Sequence, residues 1–382
     1  MSDPARTVHR KRARAFLKHV AGLVDPSEDD GFQVVPVVHL VESAREFLPA
    51  LGTLATIPLV LPKPRSIDPS VAAWVHENYA TAPIGRDGAA GTTAVADAVA
   101  AAVNHTRPVV LMDIGGYFAM ATTKIADRLG TSFRGIVEGT ENGVQKYEEA
   151  DLRCPVYTVA RSPLKYPENH LVGAGVVFSV EAILRSRGEV LQGHRTAVIG
   201  YGRIGRGVAH ALRGRFVDVI VTDTNPVALA EAAAHGFGVA RTIREVLQVA
   251  DLVISATGKK ALTLDDLRFI RPEAYLASVT SADDELNIEG IDSRFTSREE
   301  GPHVTRYRTD QGSFYLIAGG NAVNFVHGAA LGPAIQLVEG EKLACLAAVI
   351  RHDSSRGDGL FDLDEETRQL VASTWLQHYV RP

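Results

Sequence analysis

The run Thr196-Ala-Val-Ile-Gly-Tyr-Gly-Arg-Ile-Gly-Arg-Gly-Val-Ala-His-Ala-Leu212 constrains this chain more than any other stretch. Four strand-type residues lead into Gly200, Gly202 and Gly205 at the G-x-G-x-x-G spacing, and a helix-like segment follows at once. Each glycine has a physical task. The first allows a tight turn, the second lets a pyrophosphate approach the backbone, and the third lets helix and strand pack closely. Arg203 and Ile204 open the helix, whose amides without intrahelical partners favour an anion. A second strand, Val217-Asp-Val-Ile-Val-Thr222, ends at Asp223, 18 residues after Gly205. That is close to the roughly 20-residue offset of an acid that binds a ribose 2′-hydroxyl. Thr224 and Asn225 follow, with no Arg to hold a 2′-phosphate, so the cofactor implied is NAD rather than NADP. A lone glycine triplet fits an empty turn equally well; the full strand–turn–helix–strand–acid unit points to a dinucleotide.

A chain of 382 residues is long enough for two domains. Its net charge of −5 comes from interspersed charges, so no basic face for nucleic acid is implied. The cluster His9-Arg-Lys-Arg-Ala-Arg14 reads as a solvated helix rather than a binding arm. No apolar run approaches the ~20 residues of a membrane span, and the N-terminus has no signal-peptide pattern. The two cysteines, Cys154 and Cys345, make neither a disulfide framework nor a metal motif. The expectations are a cytoplasmic location, no metal, and a small-molecule ligand.

Strand and helix periods alternate before the glycine run as well. Gln33–Leu40, Ile57–Leu61, Pro108–Ile114, Arg134–Glu138 and Pro155–Val159 read as strands, with Pro62-Lys-Pro-Arg-Ser66 as a turn-rich link. Helical patterns cover Glu42–Leu51, Ala94–Val103 and His170–Arg187. Leu252–Ser255, Ala274–Ser278 and Phe314–Ile317 continue the nucleotide domain, and the last ~50 residues read as helices. This alternation implies an α/β chain of two doubly wound domains, one of them a Rossmann NAD-binding domain, with the active-site cleft between them. The boundaries read as 1–187 plus about 330–382 for a substrate domain, and 188–329 for the nucleotide domain.

Several segments, in this order, resemble S-adenosylhomocysteine hydrolase. The match is close in Gly200–Gly214 and Val221–Pro226. Ser255-Ala256-Thr257-Gly258 resembles that family's nucleotide-contacting turn, and Gly320–Asn324 its G-x-x-V-N segment. Upstream, Met112–Gly116 resembles D-D-G-G, Gly135–Val144 resembles G-I-S-E-E-T-T-T-G-V, Val38-His39-Leu40 resembles L-H-M, and Ser162–Lys165 resembles S-V-T-K. The resemblance implies transient oxidation of a nucleoside 3′-hydroxyl by held NAD, elimination and hydration at the acidified carbon, and return of the hydride. It implies that Lys165 helps deprotonate the hydroxyl, that His39 is an acid or base near the 5′ position, and that Asn324 lies near the nicotinamide. Asp113, Glu138, Thr140 and Ser281 become candidate substrate contacts. Asn169, His170 and His327 become candidate catalytic groups, and a homo-oligomer is expected.

The departures matter as much. The second acid of D-D-G-G is Ile114, and the glutamate that grips the ribose hydroxyls in that family is Gly139. The family's Asp-Asn pair reads Asn169-His170, and its N-I-G-H segment reads Ser278-Val-Thr-Ser281. A carboxylate facing two hydroxyls makes charge-assisted bonds worth about 1.5–3 kcal/mol each, so recognition of the family's usual substrate is expected to be lost. Hydride chemistry needs only NAD, a positioned alcohol and a base. Taken alone, Lys165 reads as a solvated loop lysine, His39 as a core histidine, and Lys63 and Arg65 as a solvated turn. Two alternatives stay open: a simple dehydrogenase releasing NADH, and a catalytically inactive NAD-binding regulatory protein.

Overall fold

A computed structural model describes residues 4–25, 31–85, 88–280, 285–329 and 331–380. The chain divides into two compact units, Met1–Lys165 with Gly332–Pro382, and Tyr166–Leu331. Among the described residues no helix is long and apolar enough to cross a membrane.

In the first unit the central strand β1 (Phe32–Leu40) lies parallel to β2 (Ala55–Thr56) and β3 (Leu61–Ile67) on one side and to β4 (Val109–Asp113) on the other. Beyond β4 the parallel sheet continues through β5 (Phe133–Glu138) and β6 (Pro155–Thr158). Alternate residues of β1 feed two cores, as the period of a strand requires. Val34 and Val38 pack with Phe16, Leu48 and Leu343 from the helices Pro4–Val24, Ala44–Leu54 and Ala334–Ile350. Val35 and Val37 pack with Val99 and Ile125 from Gly88–Ala102 and Thr122–Leu129 on the other face. The chain runs from β1 to β2 and β3, then returns across β1 to β4, so the strand order reverses between β1 and β4. In an open parallel sheet, ligands bind outside the carboxyl ends of the strands at such a reversal. His39 and Asp113 stand there.

The second unit contains β7 (Arg195–Ile199), β8 (Asp218–Thr222), β9 (Gly238–Ala240), β10 (Leu252–Ser255), β11 (Leu262–Thr263), β12 (Tyr275–Ser278), β13 (Leu286–Asn287), β14 (Thr296–Glu299), β15 (Val304–Thr309) and β16 (Gly312–Ile317). The order β9-β8-β7-β10-β12-β16 is the 3-2-1-4-5-6 order of a dinucleotide-binding sheet. β15 and β14 extend it antiparallel, and β11 pairs with β13 separately. Val198, Leu252 and Ile254 face one core, and Ala197, Ile199 and Val253 the other.

Three segments differ from the sequence reading. Pro62–Ser66 is not a turn but the body of β3, whose register against β1 shifts between Val38 and Leu40, with Arg65 at a φ of 66°. A bulged edge strand accommodates the two prolines that a central strand would not. The C-terminal segment is not purely helical: β17 (Gly359–Asp362) pairs parallel with β6 and forms the sheet's edge. Finally, the long helix begins at Tyr166, and residues 166–187, read from sequence with the first domain, cluster with the second unit. There a Cβ on Gly173 would stand 2.5 Å from the Gly207 carbonyl carbon, so this helix crosses Arg203–Arg213 at backbone contact.

Candidate active site

The dinucleotide turn follows β7. Gly200 holds a φ of 94°, and a Cβ there would meet the Ala256 carbonyl oxygen at 2.7 Å. A Cβ on Gly205 would lie 1.9 Å from the Gly200 carbonyl oxygen, so strand and helix touch at this point. Gly202 is different. Its φ of −72° suits any residue, yet it is exposed and nothing lies within 4 Å of the Cβ it lacks. The space a side chain would take is open, as a docked pyrophosphate needs. Arg203 begins the helix, its guanidinium 5.4 Å from the Tyr166 ring centre, and Ile204 is half-buried beside it. At the end of β8 the Asp223 carboxylate accepts the Tyr201 N–H at 2.6 Å and the Asn225 N–H at 2.7 Å, which fixes the acid against the turn. Thr224 is exposed, and the Asn225 side chain caps the helix Pro226–Ala234.

Ala256, Thr257 and Gly258 form the turn after β10, and a residue the sequence reading missed holds it. Fully buried Glu285 accepts Ser255 Oγ at 2.6 Å, Thr257 N–H at 2.6 Å, Gly258 N–H at 2.8 Å and Thr280 Oγ1 at 2.9 Å. No local motif marks Glu285, which lies 27 residues beyond Gly258. Two buried amides remain unsatisfied within the described protein: Asn324 Oδ1, and Asn169 Nδ2 on the helix Tyr166–Ser186. Buried polar atoms left so are costly without a ligand or water. The open space at Gly202, the anchored Asp223 and these amides fit a dinucleotide with a carboxamide head. His170 and His327 are both exposed, and His327 packs edge-on against Phe178 at 5.6 Å.

In the first unit β1, β3, β4, β5 and β6 run parallel, so their carboxyl ends lie along one edge of the sheet. Part-buried His39 ends β1, with Nδ1 2.6 Å from Ser66 Oγ on β3. Ser66 Oγ donates onward to the Lys63 carbonyl at 3.3 Å, so it accepts from His39 Nδ1–H and leaves the imidazole lone pair on Nε2. Burial, then the ammonium groups of Lys63, Lys342 and Lys165, hold the His39 pKa well below the usual histidine value, so the ring is neutral near pH 7. Lys165 therefore shares one electrostatic neighbourhood with His39. Its loop is held by its own backbone: Lys165 N–H donates to the Ser162 carbonyl at 3.1 Å and Leu164 N–H to the buried Ser162 Oγ at 3.1 Å, while buried Glu341 accepts from Arg368 Nε at 3.2 Å.

Asp113 and Glu138 are fully buried, and their carboxylates gather backbone amides and hydroxyls. Asp113 accepts Ile114 N–H at 2.7 Å, Phe118 N–H at 2.9 Å and Tyr147 OH at 2.6 Å. Glu138 accepts N–H from Gly115 at 3.1 Å, Gly116 at 3.0 Å and Thr140 at 2.6 Å, and the Thr140 hydroxyl at 2.8 Å. Burial and the adjacent Asp113 push the Glu138 pKa up to about 7. Thr140 in turn caps Glu141–Glu148 by accepting Gly143 N–H at 3.1 Å. Gly143 has no alternative, since its Cβ would lie 2.1 Å from Glu138 Cδ. Ser281 lies outside the described residues.

The sheet order and the turn after β7 define a nucleotide-binding Rossmann domain. Residues 177–330 match the family described as S-adenosyl-L-homocysteine hydrolase, NAD binding domain, which supports NAD as the cofactor of this unit. The chain is similar to the adenosylhomocysteinase of Thermotoga maritima, 31% identical over 229 residues, which is 58% of this chain and 56% of that protein. It is also similar to the adenosylhomocysteinase of Saccharolobus solfataricus, 30% identical over 227 residues, covering 58% and 54% of the two chains. The match thus spans little more than half the length of these curated relatives. Among solved structures, a phosphoglycerate oxidoreductase from Vibrio cholerae aligns with a TM-score of 0.42 at 13% identity, over 69% of this chain and 80% of that one.

Proposed function

We propose that the protein is an adenosylhomocysteinase-like, NAD-dependent enzyme. In this reading it transiently oxidises a secondary, 3′-type hydroxyl of a nucleoside or related small molecule. Elimination, hydration or epimerisation follows before the hydride returns. NAD supplies a hydride acceptor that gives the same hydride back. Lys165 Nζ takes the hydroxyl proton as hydride leaves, and neutral His39 Nε2 moves a proton at or near the acidified carbon. Ser66 orients the imidazole through Nδ1, and the carbonyl and hydroxyl of Ser162 hold the loop that carries Lys165.

The observation that carries this reading is that the first unit holds Lys165 and His39 in one cationic neighbourhood at the carboxyl edge of its parallel sheet, in a chain whose second unit has a complete NAD turn. The test is adenosine added to NAD-loaded protein while reduced-nicotinamide absorbance is followed. A bound signal that Lys165→Ala lowers by about 10²-fold or more supports the assignment. Steady release of free NADH contradicts it, as does a rate untouched by Lys165→Ala.

A further inference from the structure

The helix Arg203–Arg213 closes on a phenylalanine where a glycine is expected. After Gly214 the chain turns at Phe216, which holds a φ of 60°. Phe216 N–H donates to the Arg213 carbonyl at 3.0 Å and Val217 N–H to the Leu212 carbonyl at 3.2 Å. In this left-handed helix-ending turn glycine is the usual residue, because a side chain is strained there. Phe216 takes the strain without burial in return: it is 92% exposed. The turn is also tied down on both sides. Arg215 Nε bonds Glu181 at 3.1 Å, and the Arg215 carbonyl accepts Gln192 Nε2 at 3.2 Å. Strain kept in an anchored turn to show a large apolar ring to solvent points to something that covers the ring.

The ring borders a groove of about 630 Å³ at the amino ends of β7, β8 and β10, the opposite end of these strands from the dinucleotide turn. A Cβ on Gly193 would meet nothing among the described residues within 4 Å, and Val249 is 36% exposed, so part of the lining is open and apolar. Arg195 opens β7 and Asp218 opens β8, in register across the sheet. Their charges stand 3.8 Å apart, and both side chains are more than half exposed. Arg271 and Asp251 form a second ion pair in the same groove. Arginines and aspartates balance here, so the face favours neither an anion nor a cation. Balanced charge beside a protruding ring and an open groove is instead complementary to itself, as an isologous interface requires.

The strand order β8-β7-β10 supplies the geometry. A two-fold axis along the strands, between β7 and β8, sets Arg195 of each copy against Asp218 of the other. The same rotation carries Phe216, which precedes β8, to the open lining at Gly193 and Val249 beside β7 and β10. We propose that this face docks a second copy of the chain, Phe216 of each filling the groove of the other. The proposal rests on the second unit alone and is independent of the functional reading above.

The test is light scattering on the full chain after size exclusion, over a concentration series. The mass is expected to rise with concentration to that of two chains or a multiple of two. Phe216→Gly weakens assembly at least about tenfold, the scale of truncating an aromatic anchor at an interface centre. It also raises the melting temperature of the dilute protein, because the strain is gone. Phe216→Asn, tolerated in the same conformation, weakens assembly likewise. Arg195→Asp and Asp218→Arg each set like charges across the axis and weaken assembly alone. Mixing the two variants restores it, since each then meets the opposite charge on the other. Melting temperature reports that each charge variant is folded. A single-chain mass at every concentration at which the protein stays soluble overturns the proposal. So does assembly undiminished in Phe216→Gly, or mixed charge variants that fail to recover it.

Discussion

Gly202 separates folding from cofactor binding at a single atom. Its backbone is extended, with φ −72° and ψ −165°, and a Cβ there meets nothing of the protein within 4 Å. Gly202→Ala therefore costs the native state no strain, and the stiffer unfolded chain stabilises the nucleotide-free protein by about 0.4–1 kcal/mol. The same methyl occupies the space where a pyrophosphate meets the backbone. In the wild type, NAD at about 100 times its Kd adds about 2.7 kcal/mol of stability. For a unit of this size that is a rise in Tm of roughly 5–10 °C. A loss of affinity of about 100-fold in Gly202→Ala reduces the rise to about 1–2 °C at the same NAD concentration. The assay is thermal unfolding of nucleotide-stripped protein with and without NAD. An undiminished rise in Gly202→Ala refutes the pyrophosphate assignment; a lower Tm without NAD refutes the claim that the space is empty. Gly205→Ala is the contrast, because its Cβ would stand 1.9 Å from the Gly200 carbonyl and the unit destabilises whether or not NAD is present.

Three further outcomes follow from the same geometry. Gly143→Ala forces Glu138 from its amide cage and lowers stability by about 1–3 kcal/mol, read by denaturant unfolding. Glu285→Gln replaces the carboxylate that gathers the Ser255–Gly258 turn, so NAD affinity falls about tenfold or more in a fluorescence titration while the first unit's unfolding is unchanged. Glu339 is raised by burial from an ordinary carboxylate value to about 8, so the folded state binds its proton more tightly than the unfolded state. The stability this proton linkage contributes is full below about pH 4.5 and is lost as pH rises through about 8. Melting temperature measured from pH 5 to 8 falls, and Glu339→Gln flattens the fall.

The nucleotide unit was legible because its constraints are local. A tight turn, a close approach and an acid at fixed spacing each demand a residue type in one short stretch. Lys165 and His39 became candidates only through resemblance, since a lysine between prolines and a histidine near the end of a strand carry no signature of their own. The misread segments depend on tertiary pairing. Pro62–Ser66 becomes a strand only because β1 accepts a bulge beside it, and Gly359–Asp362 only because β6 offers an open edge. Glu285 acts on a turn distant in sequence, and Lys342 on His39, where no spacing rule reaches. Glu339, Glu341 and Lys342 interrupt a largely apolar helix, and charges in so buried a helix call for an explanation.

The central claim is reversible oxidation of a ligand hydroxyl with the hydride returned. Its most direct test is solvent exchange: NAD-loaded protein is incubated in deuterium oxide with adenosine or adenosine 5′-monophosphate, and the recovered ligand is weighed by mass spectrometry. The account predicts one deuteron at the carbon beside the oxidised hydroxyl, abolished by Lys165→Ala, with no accumulation of free NADH. Accumulating NADH without deuterium in the recovered ligand would contradict it.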